Sequence, residues 1–325
     1  MSQVHFEDAV IDLNEGESVL DGLLRSGVDI AFGCKSGVCQ SCLVEVSDGD
    51  PPSHAQKGLS DAQTALGYML SCQCQPTGTM TIKRVDASAQ MIPAEVIEKH
   101  WLNDNVLGLR LKAPLTYRAG QYVTLWRNET LARSYSLASH PESDDFLEFH
   151  IKVIPEGQVS SWLANDVSEG EKVSLQGPMG KCFYTASSPE QPILMAAIGT
   201  GLAPIYGILK DALAQGHFGP IDVVLGAKDA SGFYYLEALA ELAQHYENLS
   251  IHAVSQDASI AECEGITSVQ SDVYDYCNEL WPNLKGYRIF LCGADSFVKK
   301  LRKQSFLAGA GMGDISADVF IPAGG

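Results

Sequence analysis

Three cysteines packed into nine residues, Cys34-Lys35-Ser36-Gly37-Val38-Cys39-Gln40-Ser41-Cys42, constrain this chain more than any other stretch of it. The spacing is C-x4-C-x2-C, and Cys72 follows after an interval of 29 residues. Four thiolates are what a two-iron cluster needs, two per iron. Three ligands on one short loop wrap such a cluster in backbone, so that amide N–H groups reach its sulfides. Gly33, Gly37 and the small Ser36 and Ser41 suit a tightly curved loop. Zinc is the competing metal, but it favours paired C-x2–4-C units, and a single such pair fits here. Cys72 and Cys74 compete for the fourth place, since two residues apart on a strand they share a face. The chain has nine cysteines, an odd number, and five lie between residues 34 and 74. In a reducing compartment such a cluster reads as ligands rather than disulfides, and its density argues against cysteines that are merely buried.

At 325 residues the chain is long enough for two or three domains. Its longest apolar run, Pro192-Ile193-Leu194-Met195-Ala196-Ala197-Ile198, is strand-sized and well short of the roughly 18 residues of a membrane span. The start, Met1-Ser2-Gln3-Val4-His5-Phe6-Glu7-Asp8, has neither the basic stretch nor the apolar core of a signal peptide. A soluble, cytoplasmic protein is expected. The net charge of −18 argues against nucleic acid or an anionic membrane as partner, because both are polyanions. Residues 1–88 hold 12 acidic and 5 basic side chains. That module would attract a protein with a basic docking patch, although charge serving solubility alone has the same sign.

The pattern changes character twice. Residues 1–88 open with a hairpin-like Val4–Leu13 and a helix-like Ser18–Leu24, then the cysteine loop and a strand-like Cys42–Val46. The small, polar Asp86-Ala87-Ser88-Ala89-Gln90 is a candidate linker. From about 92 to 186, apolar and polar positions alternate, as in Gln121–Trp126 and Leu147–Ile151, which predicts an antiparallel sheet or barrel. Ser187-Ser188-Pro189-Glu190-Gln191-Pro192 is a second candidate linker. Beyond it, strands at Ile193–Ile198, Ile221–Leu225, Ser250–Val254 and Arg288–Leu291 alternate with helices. These helices are expected from about Ala203, over Leu236–His245, Ser271–Leu280 and Ser296–Leu307. That alternation predicts a parallel sheet flanked by helices.

Several short motifs sit on this frame. Arg133-Ser134-Tyr135-Ser136 follows Gln121–Trp126, and His150-Ile151-Lys152, Gly157-Gln158-Val159-Ser160 and Gly177-Pro178-Met179-Gly180 come after it. Gly199-Thr200-Gly201-Leu202-Ala203-Pro204 follows a strand and opens a helix, with proline in place of the third glycine of a G-x-G-x-x-G turn. Its glycines let backbone approach a pyrophosphate and the helix dipole adds favourable charge, although an unliganded turn fits the hexapeptide equally well. Cys292-Gly293-Ala294-Asp295 follows the last long strand, where a lone cysteine is ordinarily a small core residue. The tail Asp318-Val319-Phe320-Ile321-Pro322 carries an aromatic residue.

In this order the motifs resemble the ferredoxin–NAD(P)H reductase superfamily, and the cysteine loop resembles a plant-type ferredoxin. The family pattern Leu-x-Cys-Gln matches Leu70-Ser71-Cys72-Gln73, which favours Cys72 and makes Cys34, Cys39, Cys42 and Cys72 the implied ligands. The resemblance implies that Arg133 pairs with the flavin pyrophosphate, where a guanidinium fork fits anionic oxygens. Tyr135 would pack on the isoalloxazine and Ser136 would bond near N5. His150, Ile151 and Lys152 would line the ribityl and diphosphate, and Gly157, Val159 and Ser160 would form a turn toward the pyrophosphate. The family often has Arg at 152 and Gly at 156, where this chain has Lys152 and Glu156. Gly199, Thr200 and Gly201 would hold the dinucleotide. Cys292 and Gly293 would border the nicotinamide–flavin contact, and Phe320 would lie by the flavin.

The chain is similar to the NADH-dependent reductase components of bacterial multicomponent, aromatic-ring-hydroxylating oxygenases. That implies three domains: a β-grasp ferredoxin over 1–88, an antiparallel β-barrel flavin domain over 92–186 and an α/β parallel-sheet nicotinamide domain over 190–325. It implies a 2Fe-2S cluster and FAD, with electrons passing from NADH to FAD to the cluster and on to an oxygenase component or a ferredoxin. A monomer is expected. Reductases for deoxysugar synthesis of the CDP-6-deoxy-glucoseen type share this order. A redox sensor or electron carrier without steady turnover is an alternative of another class, against which the Gly199–Pro204 turn and Cys292-Gly293 argue. Gly226-Ala227-Lys228-Asp229-Ala230-Ser231-Gly232 follows the second nicotinamide-domain strand and holds one cation. Asp229 there would repel the extra phosphate of NADPH and accept from a ribose 2′-hydroxyl, so NADH is expected.

Overall fold

The computed structural model describes residues 2–59, 61–85, 91–257 and 263–321. Asp86–Gln90, the first candidate linker, and Pro322 lie outside them. The first layer is a five-stranded mixed sheet, ordered β2-β1-β5-β3-β4. Its strands are β1 (Ser2–Phe6), β2 (Ala9–Leu13), β3 (Leu43–Asp48), β4 (Tyr68–Leu70) and β5 (Thr79–Arg84). β1 pairs antiparallel with β2 and parallel with β5, the central arrangement of a β-grasp. Helix α1 (Val19–Arg25) begins where the Ser18 side chain accepts from the Asp21 amide. It buries Val19, Leu20 and Leu23 against the sheet. Gly22 permits that approach: a Cβ there would lie 2.1 Å from a Leu13 methyl. A short α2 (Asp61–Ala65) precedes β4.

The middle layer has six antiparallel strands in the order β10-β7-β6-β11-β8-β9. They are β6 (Ile92–Asn103), β7 (Val106–Lys112), β8 (Tyr122–Trp126), β9 (Ala132–Ser136), β10 (Leu147–Lys152) and β11 (Lys172–Met179). An antiparallel bridge between Leu137 and Phe149 closes the sheet into a barrel. Val96, Leu109, Leu111, Val123, Leu125, Phe149 and Leu175 fill it and are fully buried. The helix α3 (Ser160–Asn165) caps one end.

The last layer is a six-stranded all-parallel sheet ordered β15-β14-β13-β12-β16-β17. Its elements, in chain order, are β12 (Ile193–Ile198), α4 (Leu202–Ala214), β13 (Ile221–Ala227), α5 (Leu236–His245), β14 (Leu249–Ser255), β15 (Thr267–Gln270), α6 (Val273–Leu280), β16 (Arg288–Ala294), α7 (Asp295–Leu307) and β17 (Ile315–Phe320). β12 is apolar without alternation because helices cover both faces of the sheet. The four expected strand–helix units are present, and β15 and β17 add one edge strand on each side. Between the second and third layers, the second candidate linker is a tied turn: buried Gln191 accepts from the Ser187 amide and donates to the Gly286 carbonyl.

Candidate redox site

The cysteine loop curls around the Cys34 sulfur. Backbone amides of Ser36, Val38 and Cys39 donate to Cys34 Sγ at 3.3–3.4 Å, and the Cys34 amide donates to Cys39 Sγ at 3.3 Å. This inward ring of N–H groups is an anion-binding concavity of the kind that holds iron–sulfur clusters. The thiols associate as two pairs, Cys34 with Cys39 and Cys42 with Cys72. Two pairs of thiols, one pair per iron, are what a 2Fe-2S cluster requires, so the donor set fits one. Gln73 Nε2 donates to Cys72 Sγ at 3.5 Å. Cys74 is fully buried in the sheet core, and burial pushes its thiol up to about 12. The structure therefore turns Cys72 toward the loop and Cys74 away from it.

On the barrel, Arg133, Tyr135 and Ser136 lie on β9, where Ser136 faces Tyr122 of β8 across the ladder. Arg133 Nη1 donates to the Phe32 carbonyl, two residues before Cys34, at 3.2 Å, and to the Ala132 carbonyl at 2.7 Å. Ser136 Oγ donates to Asp318 Oδ2 at 2.6 Å. Asp318 sits on β17 directly opposite fully buried Cys292 on β16. Burial pushes the Asp318 carboxyl up to about 6. Ser136, Cys292 and Asp318 thus meet where the barrel abuts the parallel sheet. Phe320 is half-buried two residues further along β17.

Strand alternation divides the next motif between two faces. Ile151 is in the barrel core and Lys152 is exposed, while His150 is buried against the nicotinamide domain. There His150 Nδ1 is 3.2 Å from the Tyr234 hydroxyl, and Nε2 is 3.4 Å from Glu148. The Tyr235 hydroxyl donates to the same Glu148 carboxylate, which Arg110 Nε approaches at 3.4 Å. Burial opposes charge on Glu148, but His150, Tyr235 and Arg110 outweigh it and hold the carboxyl at about 2. Burial also pushes His150 down, against the pull of the Glu148 carboxylate. Gly157 turns the chain so tightly that a Cβ would lie 2.5 Å from Ser160 Oγ, which accepts from the Ile154 amide. Val159 is buried in the barrel.

In the parallel sheet, Gly199, Thr200 and Gly201 form a 3-10 turn into α4. Gly199 has φ +53° with open space around it, whereas a Cβ on Gly201 would lie 2.2 Å from the Cys292 carbonyl. Gly201 thus lets two strand ends meet, and Gly199 leaves room on the outer side. Gly293, at φ +140°, packs against Ile198 in the same crossing. A shallow pocket lined by Gly199, Gly226, Gly232, Phe233 and Tyr234 opens here, at the C-terminal ends of β12 and β13. The strand order reverses between β12 and β16, and the carboxyl ends of strands beside such a switch are where open α/β sheets bind ligands; the pocket lies next to it, on the β13 side of β12. Asp229 stands three residues before Gly232 of this lining, with Oδ1 accepting from the Ser231 amide at 3.0 Å.

Comparison with known proteins follows the same division. The description "2Fe-2S iron-sulfur cluster binding domain" matches residues 4–77, "Oxidoreductase FAD-binding domain" residues 93–184 and "Oxidoreductase NAD-binding domain" residues 195–303. The reductase component, a ferredoxin–NAD(P)+ reductase, of a Pseudomonas putida naphthalene 1,2-dioxygenase system is 33% identical over 97% of each chain. This chain belongs to the family of oxygenase-system ferredoxin–NAD(P)+ reductases. A Ralstonia member of the family, serving naphthalene 1,2-dioxygenase and salicylate 5-hydroxylase systems, is 31% identical over 97% of this chain and 96% of its own. Among solved structures, an Amycolatopsis cytochrome P450 reductase superposes with TM-score 0.69 at 26% identity, covering 99% of this chain and 100% of that one.

The family's enzymes are oxidoreductases, and this chain carries the domains for all three of its cofactors. Three residues of the site went unread in the sequence. Asp318 stood in the tail already marked for Phe320, and strand alternation puts both on one face. Glu148 precedes His150 by two on β10, which gives it the same face. Tyr122 had no chemical signature beyond its place in an alternating strand.

Proposed function

We propose that this chain oxidises NADH and delivers its electrons singly to an oxygenase component or a ferredoxin. The observation that carries the reading is the meeting of barrel, parallel sheet and cysteine loop around β8, β9 and β17, which puts the three parts that would hold the cofactors in direct contact. The bound cofactors supply the redox chemistry: NADH releases two electrons together, the flavin passes them singly and the cluster carries one at a time. Cys34, Cys39, Cys42 and Cys72 would hold the cluster. Arg133 would pair with the flavin pyrophosphate, Tyr135 would stack on its ring and Ser136 would fix the edge that receives the nicotinamide. Cys292 and Gly293 shape the opposite wall, and Phe320 covers the side. Gly199, Thr200 and Gly201 would admit the dinucleotide, with Asp229 accepting from its ribose. His150 and Glu148 act here by holding the Tyr234–Tyr235 corner.

The names of the two naphthalene-system relatives support an oxygenase partner. No helix among the described residues is long and apolar enough to cross a membrane. With cluster thiols that require a reducing compartment, this supports a cytoplasmic site of action. Because one chain holds the whole path, we place it as a monomer. The test compares the full chain with a variant lacking residues 1–90. Both should reduce ferricyanide with NADH, and only the full chain should reduce cytochrome c. Undiminished cytochrome c reduction by the shortened variant would remove the cluster from the exit path.

A further inference from the structure

Tyr122 opens β8 and is buried at 7% exposure, with its hydroxyl leaving the barrel altogether. It donates to the Val38 carbonyl at 2.6 Å, in the loop between Cys34 and Cys39. The other end of that peptide unit is the Cys39 amide, which donates to Cys34 Sγ at 3.3 Å. In a trans peptide the C=O and N–H point in opposite directions, so one planar unit bridges the tyrosine hydroxyl and the sulfur. The ring is held in place from behind. Gly180, at φ +96°, lies under it, and a Cβ there would be 2.9 Å from two ring carbons. On its barrel side, Tyr122 faces Ser136, whose hydroxyl is bonded to Asp318.

We propose that the Tyr122 hydroxyl tunes the cluster from the flavin domain, by polarising the Val38–Cys39 peptide and strengthening its N–H···S bond to Cys34. The inference rests on the reading that a 2Fe-2S cluster is held at Cys34. Hydrogen bonds in series reinforce one another, and hydrogen bonds to the ligand sulfurs are a main control on the potential of an iron–sulfur cluster. Donation to a thiolate stabilises the more negative, reduced state. The docked barrel therefore makes the cluster a better electron acceptor than the ferredoxin domain would be alone. Tyr122 is a positioning residue, acting through a peptide it does not share with the metal ligand's side chain.

The test uses the full, cofactor-loaded chain with Tyr122→Phe, which keeps the ring and removes the donor. In a mediated redox titration followed by electron paramagnetic resonance, the variant cluster should be reduced about threefold less favourably, near 30 mV at 59 mV per tenfold for one electron. In rapid mixing with NADH, the flavin phase should be unchanged and the cluster phase slower. A contact that only packs the domains together would leave the potential where it was, since the phenylalanine ring fills the same space. An unchanged potential overturns the proposal. A wild-type cluster that takes electrons from mediators but never from NADH overturns the functional reading instead, and the potential comparison still decides the role of Tyr122.

Discussion

Removing the Glu148 carboxylate tests how the barrel holds the nicotinamide domain. Glu148 accepts from Tyr235 and faces Arg110 and His150, both at 3.4 Å. Arg110 also bonds Glu98 at 2.7 Å, so Glu148→Ala does not orphan its guanidinium. The losses fall on the Tyr235 hydroxyl and on His150, which keeps Tyr234 at its other nitrogen. A hydrogen bond to a charged group contributes about 1.5–3 kcal/mol, and a buried donor left unpaired is costly. Glu148→Ala should therefore destabilise by about 3 kcal/mol. A double-mutant cycle with Tyr235→Phe should show about 2 kcal/mol of coupling in urea unfolding. Tyr235 has φ +61°, sparsely populated for a bulky residue, so its conformation depends on that bond. It directly follows Phe233 and Tyr234 on the pocket wall. Loosening it should raise KM for NADH several-fold and leave kcat nearly intact, as lost ground-state binding does. Coupling below about 0.5 kcal/mol would refute the energetic reasoning. Strong coupling with an unaltered KM would refute its link to the pocket.

Cys72→Ser should abolish the iron–sulfur absorbance and paramagnetic signal, while Cys74→Ser, in the apolar core, should keep both; the opposite result would reverse the ligand choice. Asp318 holds its proton more tightly in the folded chain, at about 6 against about 3.9 unfolded, so its contribution falls as pH rises from about 4 to about 6. Asp318→Asn, still able to accept from Ser136, should be more stable than wild type by about 3 kcal/mol at pH 7 and by nothing at pH 4, in thermal melts across that range. A gain independent of pH would exclude titration of Asp318 as its cause. Asp229→Ser should narrow the expected preference for NADH over NADPH in kcat/KM by about fivefold, the scale of one charge–charge repulsion of about 1 kcal/mol in water. Serine also caps turns, so the Ala230–Gly232 turn should survive. An unaltered ratio would remove Asp229 from the discrimination.

Local chemistry made much of this legible. The helix-like stretch after Ser18, the Gly-rich approach to α4 and the unbroken apolar run of β12 each follow from residue type and spacing, and each stands where the pattern puts it. The edge strands β15 and β17 did not show in that way. Thr267–Gln270 and Ile315–Phe320 are short, half-buried and paired on one side, so neither composition nor alternation separates them from loop. Tertiary pairing alone identifies them. The same holds for the site. Cysteine spacing names ligands because one loop supplies three of them, but Ser136 and Asp318 are 182 residues apart. Only closure of β17 against β16 brings them within a hydrogen bond. Gly201 shows a third kind of limit: read as room for a phosphate, it is first room for the Cys292 carbonyl.

The two domain contacts differ in kind, and the difference suits the proposed electron path. Between barrel and parallel sheet the backbones themselves interlock. A Cβ on Gly120 would meet the Cys182 carbonyl and an Ile208 carbon at 2.5 Å, and one on Gly207 would meet the Leu137 carbonyl at 3.0 Å. Lys210 to Asp144 and Tyr235 to Glu148 add polar ties across the same face. Close packing of this sort would keep a flavin and a nicotinamide in fixed register, as transfer of an electron pair between them requires. Among the described residues, the ferredoxin sheet meets the barrel more thinly, with Ala31 beside Trp126 and Ala132, and two hydrogen bonds to loop carbonyls. Single-electron transfer tolerates a looser contact, and a cluster that must also meet a separate protein gains from being releasable. The dense face is therefore where substitutions should cost binding and stability together. At the thin face, Tyr122→Phe should alter the cluster and spare the flavin, whereas a change at Arg133 should reach both.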